Sequence, residues 1–163
     1  MIDGISGRRS ERVFVKRSVS GSMYTSLVEA AICAPSGKNT QPWKFRVITD
    51  MDEKKTVADF SRCKKWMIKA DGYILVFLDR RLTYDYVKGV LSCGAAIQNL
   101  LLAAHSLGLG SCWIGDVMDR SQQIVEKLGI ADNCLELMGV IAVGYCDNTT
   151  CKASRRATDS FMI

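Results

Sequence analysis

Gly94-Ala95-Ala96-Ile97-Gln98-Asn99-Leu100-Leu101-Leu102-Ala103-Ala104-His105-Ser106-Leu107-Gly108-Leu109-Gly110-Ser111-Cys112-Trp113-Ile114-Gly115 passes from helix to strand across two glycines, and that passage decides the fold class. Apolar side chains surround the helix on nearly every face over residues 90–107, as in a helix at the centre of a core or in a subunit interface. Ala95, Ala96, Ala103 and Ala104 let another backbone come close, and in a chain of 163 residues the interface is the favoured reading. Ser92, Gln98, Asn99, His105 and Ser106 argue against a membrane span. Gly108 and Gly110 then stop the helix, and residues 111–114 form a short strand that ends at Gly115.

Working outward, helical and strand periodicities alternate. Ser22 is placed to cap a helix over residues 22–32, residues 45–49 alternate like a strand, and residues 52–62 read as a short helix with acidic side chains in its first turn. Tyr73-Ile74-Leu75-Val76-Phe77-Leu78 is a continuous apolar strand of the kind buried on both faces. Residues 84–107 form the long helix, 121–128 a further helix stopped by Gly129, and 137–145 the last strong strand. No repeat, linker or low-complexity segment interrupts the order, so residues 1–163 are expected to form a single α/β domain.

The only two prolines lie in Ala34-Pro35-Ser36-Gly37-Lys38-Asn39-Thr40-Gln41-Pro42-Trp43. Each fixes its own φ and turns the preceding residue away from helix, which makes a stiff loop rich in donors and acceptors. Charge is equally localised. Residues 1–20 carry Arg8, Arg9, Arg12, Lys16 and Arg17 against Asp3 and Glu11, and residues 151–163 carry Lys152, Arg155 and Arg156 against Asp159. The rest of the chain balances, so the whole net charge of +5 sits at the two ends. If the ends meet they make one anion site that a single phosphate would satisfy; otherwise they are two solvated tails.

Seven cysteines, an odd number without a Cys-x-x-Cys pair, stand mostly in apolar runs. They read as free thiols in a reducing cytoplasm, and with one histidine no zinc set is available. The charged N-terminus lacks a signal-peptide core.

Four blocks then carry a resemblance. Arg8-Arg9-Ser10-x-Arg12-x-Phe14 resembles the opening of the FMN-dependent nitroreductase family, and Ala34-Pro35-Ser36-x-x-Asn39-x-Gln41-Pro42-Trp43 resembles its second block. The segment quoted first is similar to its central helix and following turn, and Ser154-Arg155-Arg156 to its closing basic element. The blocks fall in family order from residue 8 to residue 156.

The resemblance implies a three-layer α/β fold of α+β type, with a mainly antiparallel central sheet flanked by helices. It also implies a homodimer joined along the long helix, with FMN at the interface. By position, Arg8, Arg9, Ser10 and Arg12 would hold the FMN phosphate and ribityl chain, and Arg155 with Arg156 would close on the same phosphate. Pro35, Ser36 and Asn39 would reach the isoalloxazine of the partner subunit. Trp113, Ile114 and Gly115 would line the ring, with the Gly115 N–H near N5. Arginine suits the phosphate because its planar fork gives paired charge-assisted bonds. NAD(P)H would reduce the flavin, and a nitroaromatic, quinone, enone or free flavin would then take two electrons. No catalytic side chain or metal is implied, and His105, expected on a buried helix, is read as structural.

The chain departs from the family pattern in a compressed stretch between Trp43 and Tyr73. Lys64 or Lys65 could supply positive charge at the N1/O2 edge of the ring, but Trp66 competes for that position and the role stays unassigned. Ala153 stands where some members carry a basic residue, with Lys152 as a substitute. Two other functions compete with the reductase: an FMN store or sensor without turnover, and a small basic nucleic-acid module. The latter lacks aromatic-basic interleaving and a helix-turn-helix.

Overall fold

The structure is a computed structural model that describes residues 3–147 and 154–163; Lys152 and Ala153, named above, and Cys151, one of the seven cysteines, lie outside the described residues. A short helix, α1 (Asp3–Gly7), precedes an extended segment, and α2 (Gly21–Ile32) follows. The cap of α2 is Ser20 rather than Ser22: its Oγ accepts from the Met23 N–H at 3.3 Å, while Ser22 only shares a hydroxyl contact with it. After the proline loop come β1 (Trp43–Ile48) and α3 (Met51–Ala58). Asp50 caps α3, accepting from the N–H groups of Asp52 and Glu53 at 3.0 Å.

Helix α3 stops at Ala58, short of the expected residue 62, and a separate one-turn helix, α4 (Lys64–Met67), follows. The break has a tertiary cause. The Asp116 carboxylate accepts from Ser61 Oγ at 2.9 Å and from the Arg62 N–H at 2.9 Å, pulling residues 61–62 out of the helix. Then come β2 (Gly72–Asp79), α5 (Tyr86–Ser106), β3 (Gly110–Ile114), α6 (Ser121–Lys127) and β4 (Leu135–Gly144). Helix α5 ends at Ser106, two residues before Gly108, whose φ of 71° closes the turn into β3.

The four strands pair antiparallel in the order β1-β2-β4-β3, as expected of a mainly antiparallel sheet. Every residue of β2 is buried, with Ile74, Val76 and Leu78 on one face and Tyr73, Leu75 and Phe77 on the other. The first face packs against α2 and α5 through Leu27, Ala31, Ala96, Ile97 and Leu100. The second packs against α3, α4 and α6 through Val57, Ala58, Met67 and Ile124. The sheet is thus the middle of three layers.

Helix α5 is long and apolar enough, by length and composition alone, to cross a membrane. Its composition has two causes in this fold. Gly89, Cys93, Ala96, Ile97, Leu100 and Ala104 are buried against the sheet and α2. The opposite stripe leaves Val87 64% and Leu91 68% exposed in the single chain.

Candidate functional site

The extended segment after α1 lies along the free edge of β3. Ser10 bridges Ser111 in parallel register, the Glu11 N–H donates to the Ser111 carbonyl at 2.9 Å, and Phe14 bridges Cys146. Arg8, Arg9, Ser10 and Arg12 are therefore fixed by backbone pairing to the strand that also carries Trp113, Ile114 and, just beyond it, Gly115. Seven of the expected site residues thus share one sheet edge.

Each arginine is held differently. One terminal nitrogen of Arg9 donates to the carbonyls of Ser6 and Arg8 at 2.7 Å. Its Nε–H is buried without an acceptor. Leaving such a group unsatisfied costs about 1–3 kcal/mol, more for a charged one, unless a ligand supplies the acceptor. Arg12 donates to the Ser10 carbonyl at 3.3 Å, and its guanidinium lies 5.9 Å from the centre of the Trp66 ring. Trp66 in turn stacks on Phe14, with centroids 6.4 Å apart. Trp66 thus supports the Arg12 arm, and since that pairing crosses from α4 to the N-terminal segment, local sequence pattern carried no sign of it.

Beside Arg8 and Arg9 lies a cavity of about 170 Å³, lined also by Glu11, His105 and Ser111. His105 belongs to this wall rather than to the core. The long helix places it in the last turn of α5, exposed beside the buried Ala104; a β-carbon built on Gly7 would come within 2.9 Å of its Nε2. The expectation of a buried histidine is corrected accordingly. Burial and the nearby Asp147 raise the pKa of Glu11, against the opposing fields of His105, Arg12 and Arg9.

At the other end of β3, Ile114 is buried and Trp113 is 44% exposed. The Trp113 indole packs close against Gly139 of β4: a β-carbon there would sit 2.2 Å from its Nε1. The register irregularity between Val76 and Phe77 occurs opposite this glycine. Gly115 has φ −96°, so no left-handed backbone requires glycine there. A β-carbon at 115 meets nothing within 4 Å, which leaves open space over its main chain. Asp116 follows at once and holds residues 61–62, so the start of α4 is tied to the end of β3. Lys64 is paired with Asp59 at 2.5 Å.

Pro35, Ser36 and Asn39 occupy a separate loop before β1. Lys38, Asn39 and Gln41 all have positive φ, at 55°, 55° and 48°. Such values are uncommon for residues other than glycine and persist where surroundings over-determine them. Here Ser36 Oγ accepts from the Gln41 N–H at 2.9 Å and the Ser36 carbonyl from the Asn39 N–H at 2.9 Å. Tyr84 packs close against Gly37, with the Lys38 ammonium 4.5 Å from its ring centre. Pro35 and Asn39 face solvent in the single chain. Arg155 and Arg156 are also exposed: Arg155 donates to the Ser154 carbonyl at 3.5 Å, and Arg156 lies over Phe161. Within one chain the two basic ends are not joined by an ion pair or hydrogen bond among the described residues.

Comparison with known proteins gives the same picture from outside. The nitroreductase family profile matches residues 5–71 and 61–145. A protein of Archaeoglobus fulgidus with the provisional name NADH dehydrogenase/NAD(P)H nitroreductase is 36% identical over 141 residues, covering 85% of this chain and 80% of its own length. The FMN reductase (NADPH) of Bacillus subtilis is 26% identical, over 94% of this chain and 69% of its own length. Among solved structures, a provisionally named nitroreductase of Desulfovibrio desulfuricans in complex with FMN superposes with a TM-score of 0.95 at 34% identity, covering 99% of this chain and 94% of that one. The chain belongs to the nitroreductase family.

Proposed function

We propose that this chain is an NAD(P)H-dependent FMN oxidoreductase, a single domain acting as a homodimer that reduces a small acceptor such as a nitroaromatic, quinone, enone or flavin. The observation that carries the reading is the shared edge of β3, where an arginine with an orphaned, buried Nε–H stands at one end and an open glycine backbone at the other. An FMN molecule needs both, a dianion grip and a flat approach to main chain, so the residues present fit it.

Arg8, Arg9, Ser10 and Arg12 would bind the phosphate and ribityl chain, and Arg155 and Arg156, both exposed, would add their charge to it. Trp113, Ile114 and Gly115 would line the ring, the Gly115 N–H orienting it. Pro35, Ser36 and Asn39 would contribute from the partner subunit, which accounts for an internally hydrogen-bonded loop whose Pro35 and Asn39 face solvent in their own chain. The exposed Val87 and Leu91 of α5 support a subunit contact along that helix. Bound FMN supplies the redox chemistry, taking up two electrons from the reduced pyridine nucleotide and releasing them to the acceptor. Unpaired thiols at Cys33, Cys63, Cys93, Cys112 and Cys134 support a reducing compartment, the cytoplasm.

The test is twofold. Purified protein should be yellow, release FMN on denaturation and oxidise NADH or NADPH with an acceptor; FMN binding without turnover would make it a flavin store instead. Arg12→Ala or Arg155→Ala should weaken FMN by about 1.5–3 kcal/mol, the range for hydrogen bonds to a charged group. Riboflavin, lacking the phosphate, should bind the wild type much more weakly and be indifferent to either change. Equal affinities for FMN and riboflavin would remove these arginines from the site.

A further inference from the structure

A second basic cavity, of about 670 Å³, lies where the N-terminal segment passes the ends of β1 and α4, and none of the residues assigned to the flavin lines it. Lys16, Arg17, Lys54 and Lys69 surround it, against the single carboxylate of Asp71. Asp71 is already engaged, accepting from the Tyr24 hydroxyl at 2.8 Å. Among the described residues none of the four cations forms an ion pair.

Two of them are built in rather than loosely solvated. Lys54 is only 4% exposed, and its ammonium donates to the Ala70 carbonyl at 2.6 Å and the Asp71 carbonyl at 3.1 Å. That uses two of its three N–H groups; among the described residues the third has no oxygen acceptor, and the Tyr73 ring centre lies 5.9 Å from the ammonium. Burial pulls its pKa below the usual lysine value, with Asp71 opposing, so an anion placed beside it would stabilise the charged form. Arg17 is fixed by stacking: its guanidinium lies 3.8 Å from the centre of the Tyr145 ring, and among the described residues its side chain has no hydrogen-bond acceptor. The Val15 N–H donates to the Tyr145 carbonyl at 2.9 Å and the Arg17 N–H to the Val15 carbonyl at 2.8 Å, which sets the segment that carries both. Phe14, Val15, Met51 and Ile68 supply an apolar side to the same cavity.

We propose that this cavity binds the phosphate group of a small ligand, with Arg17 and Lys54 as its fixed donors. Four cations without an ion pair among the described residues suit a dianion, the planar guanidinium of Arg17 can give paired bonds to phosphate oxygens, and the Lys54 ammonium adds a point charge. The apolar side suits a planar body attached to that phosphate, as in a nucleoside monophosphate, whereas free inorganic phosphate would use the cations alone. The proposal stands independently of the flavin reading, because the two sites share no residue.

Titration calorimetry at fixed ionic strength, on the purified protein with its FMN content measured by absorbance, tests it with three probes: adenosine 5′-monophosphate, adenosine and inorganic phosphate. The monophosphate should bind at least tenfold more tightly than adenosine. Arg17→Ala and Lys69→Ala, both at exposed positions, should each weaken it about tenfold or more with FMN content unchanged. Lys54→Met should do the same where the variant folds. Inorganic phosphate binding as tightly as the nucleotide, and equally sensitive to Arg17→Ala, would identify the ligand as free phosphate. No binding of either phosphate, or binding that Arg17→Ala and Lys69→Ala leave unchanged, would overturn the proposal whatever the flavin content.

Discussion

Two glycines, one packed against the Trp113 indole and one two residues beyond it in the chain, have opposite roles. At Gly139 a side chain has no room, since its β-carbon would lie 2.2 Å from the Trp113 Nε1. Gly139→Ala should displace the indole and lower stability by about 1–3 kcal/mol, the usual cost of overpacking; a shift in tryptophan fluorescence alongside denaturant unfolding would register both. At Gly115 the space is open and φ is ordinary. Gly115→Val should therefore leave folding within about 0.5 kcal/mol of wild type, as for a surface site. If the ring lies there, the same change should slow flavin reduction by NAD(P)H far more than it weakens FMN, because the phosphate grip is elsewhere. Stopped-flow reduction at the wild-type rate, with FMN retained, would place the ring elsewhere.

At the scale of elements, the ends of strands are tied by carboxylates. Asp79 closes β2, is 3% exposed, and accepts two bonds from the Arg81 guanidinium at 2.8 and 2.9 Å, while Arg81 also reaches Asp132 ahead of β4. The Arg81 hydrogen bond holds the Asp79 pKa below the usual carboxylate value. A depressed folded pKa means stability that is present above the unfolded value, about 3.9, and lost as pH falls through the folded one. The wild type should lose stability on acidification below about pH 4 more steeply than Asp79→Asn, and the variant should be the less stable at neutral pH; parallel acid limbs in the two melting curves would contradict this. The strands and long helix were legible in sequence because apolar runs such as residues 73–78 and the glycines at 108 and 110 act locally. The break between α3 and α4 was not, since Asp116 imposes it from 54 residues away. The same limit hid Trp66 beneath Arg12 and put His105 on the wrong side of the core boundary.

At the scale of the molecule, the β3 edge gathers one half of the expected site, and the proline loop, with its solvent-facing Pro35 and Asn39, lies apart from it in the chain. If a partner subunit completes each site, FMN binds the folded dimer and not the unfolded chain, and stabilises it by mass action. The FMN-free protein should be a weak dimer, and saturating FMN at about a hundredfold over its Kd should add about 2.7 kcal/mol. Sedimentation and thermal melts with and without FMN would measure both effects. An unchanged melting temperature at saturation would argue against an interface site. The ordered blocks made the family legible, but the relative placement of the two basic ends was not, because it depends on chain paths at residues 8–12 and 154–156 that no local pattern encodes.

The three left-handed residues of the proline loop have a consequence for the speed of recognition. If the loop meets a ligand, a backbone already bent at Lys38, Asn39 and Gln41 and held by the Ser36 hydroxyl leaves it less conformational search to make. Its contribution to association is then set by encounter rather than by rearrangement, and differences in affinity among ligands that touch it should reside in their rates of departure.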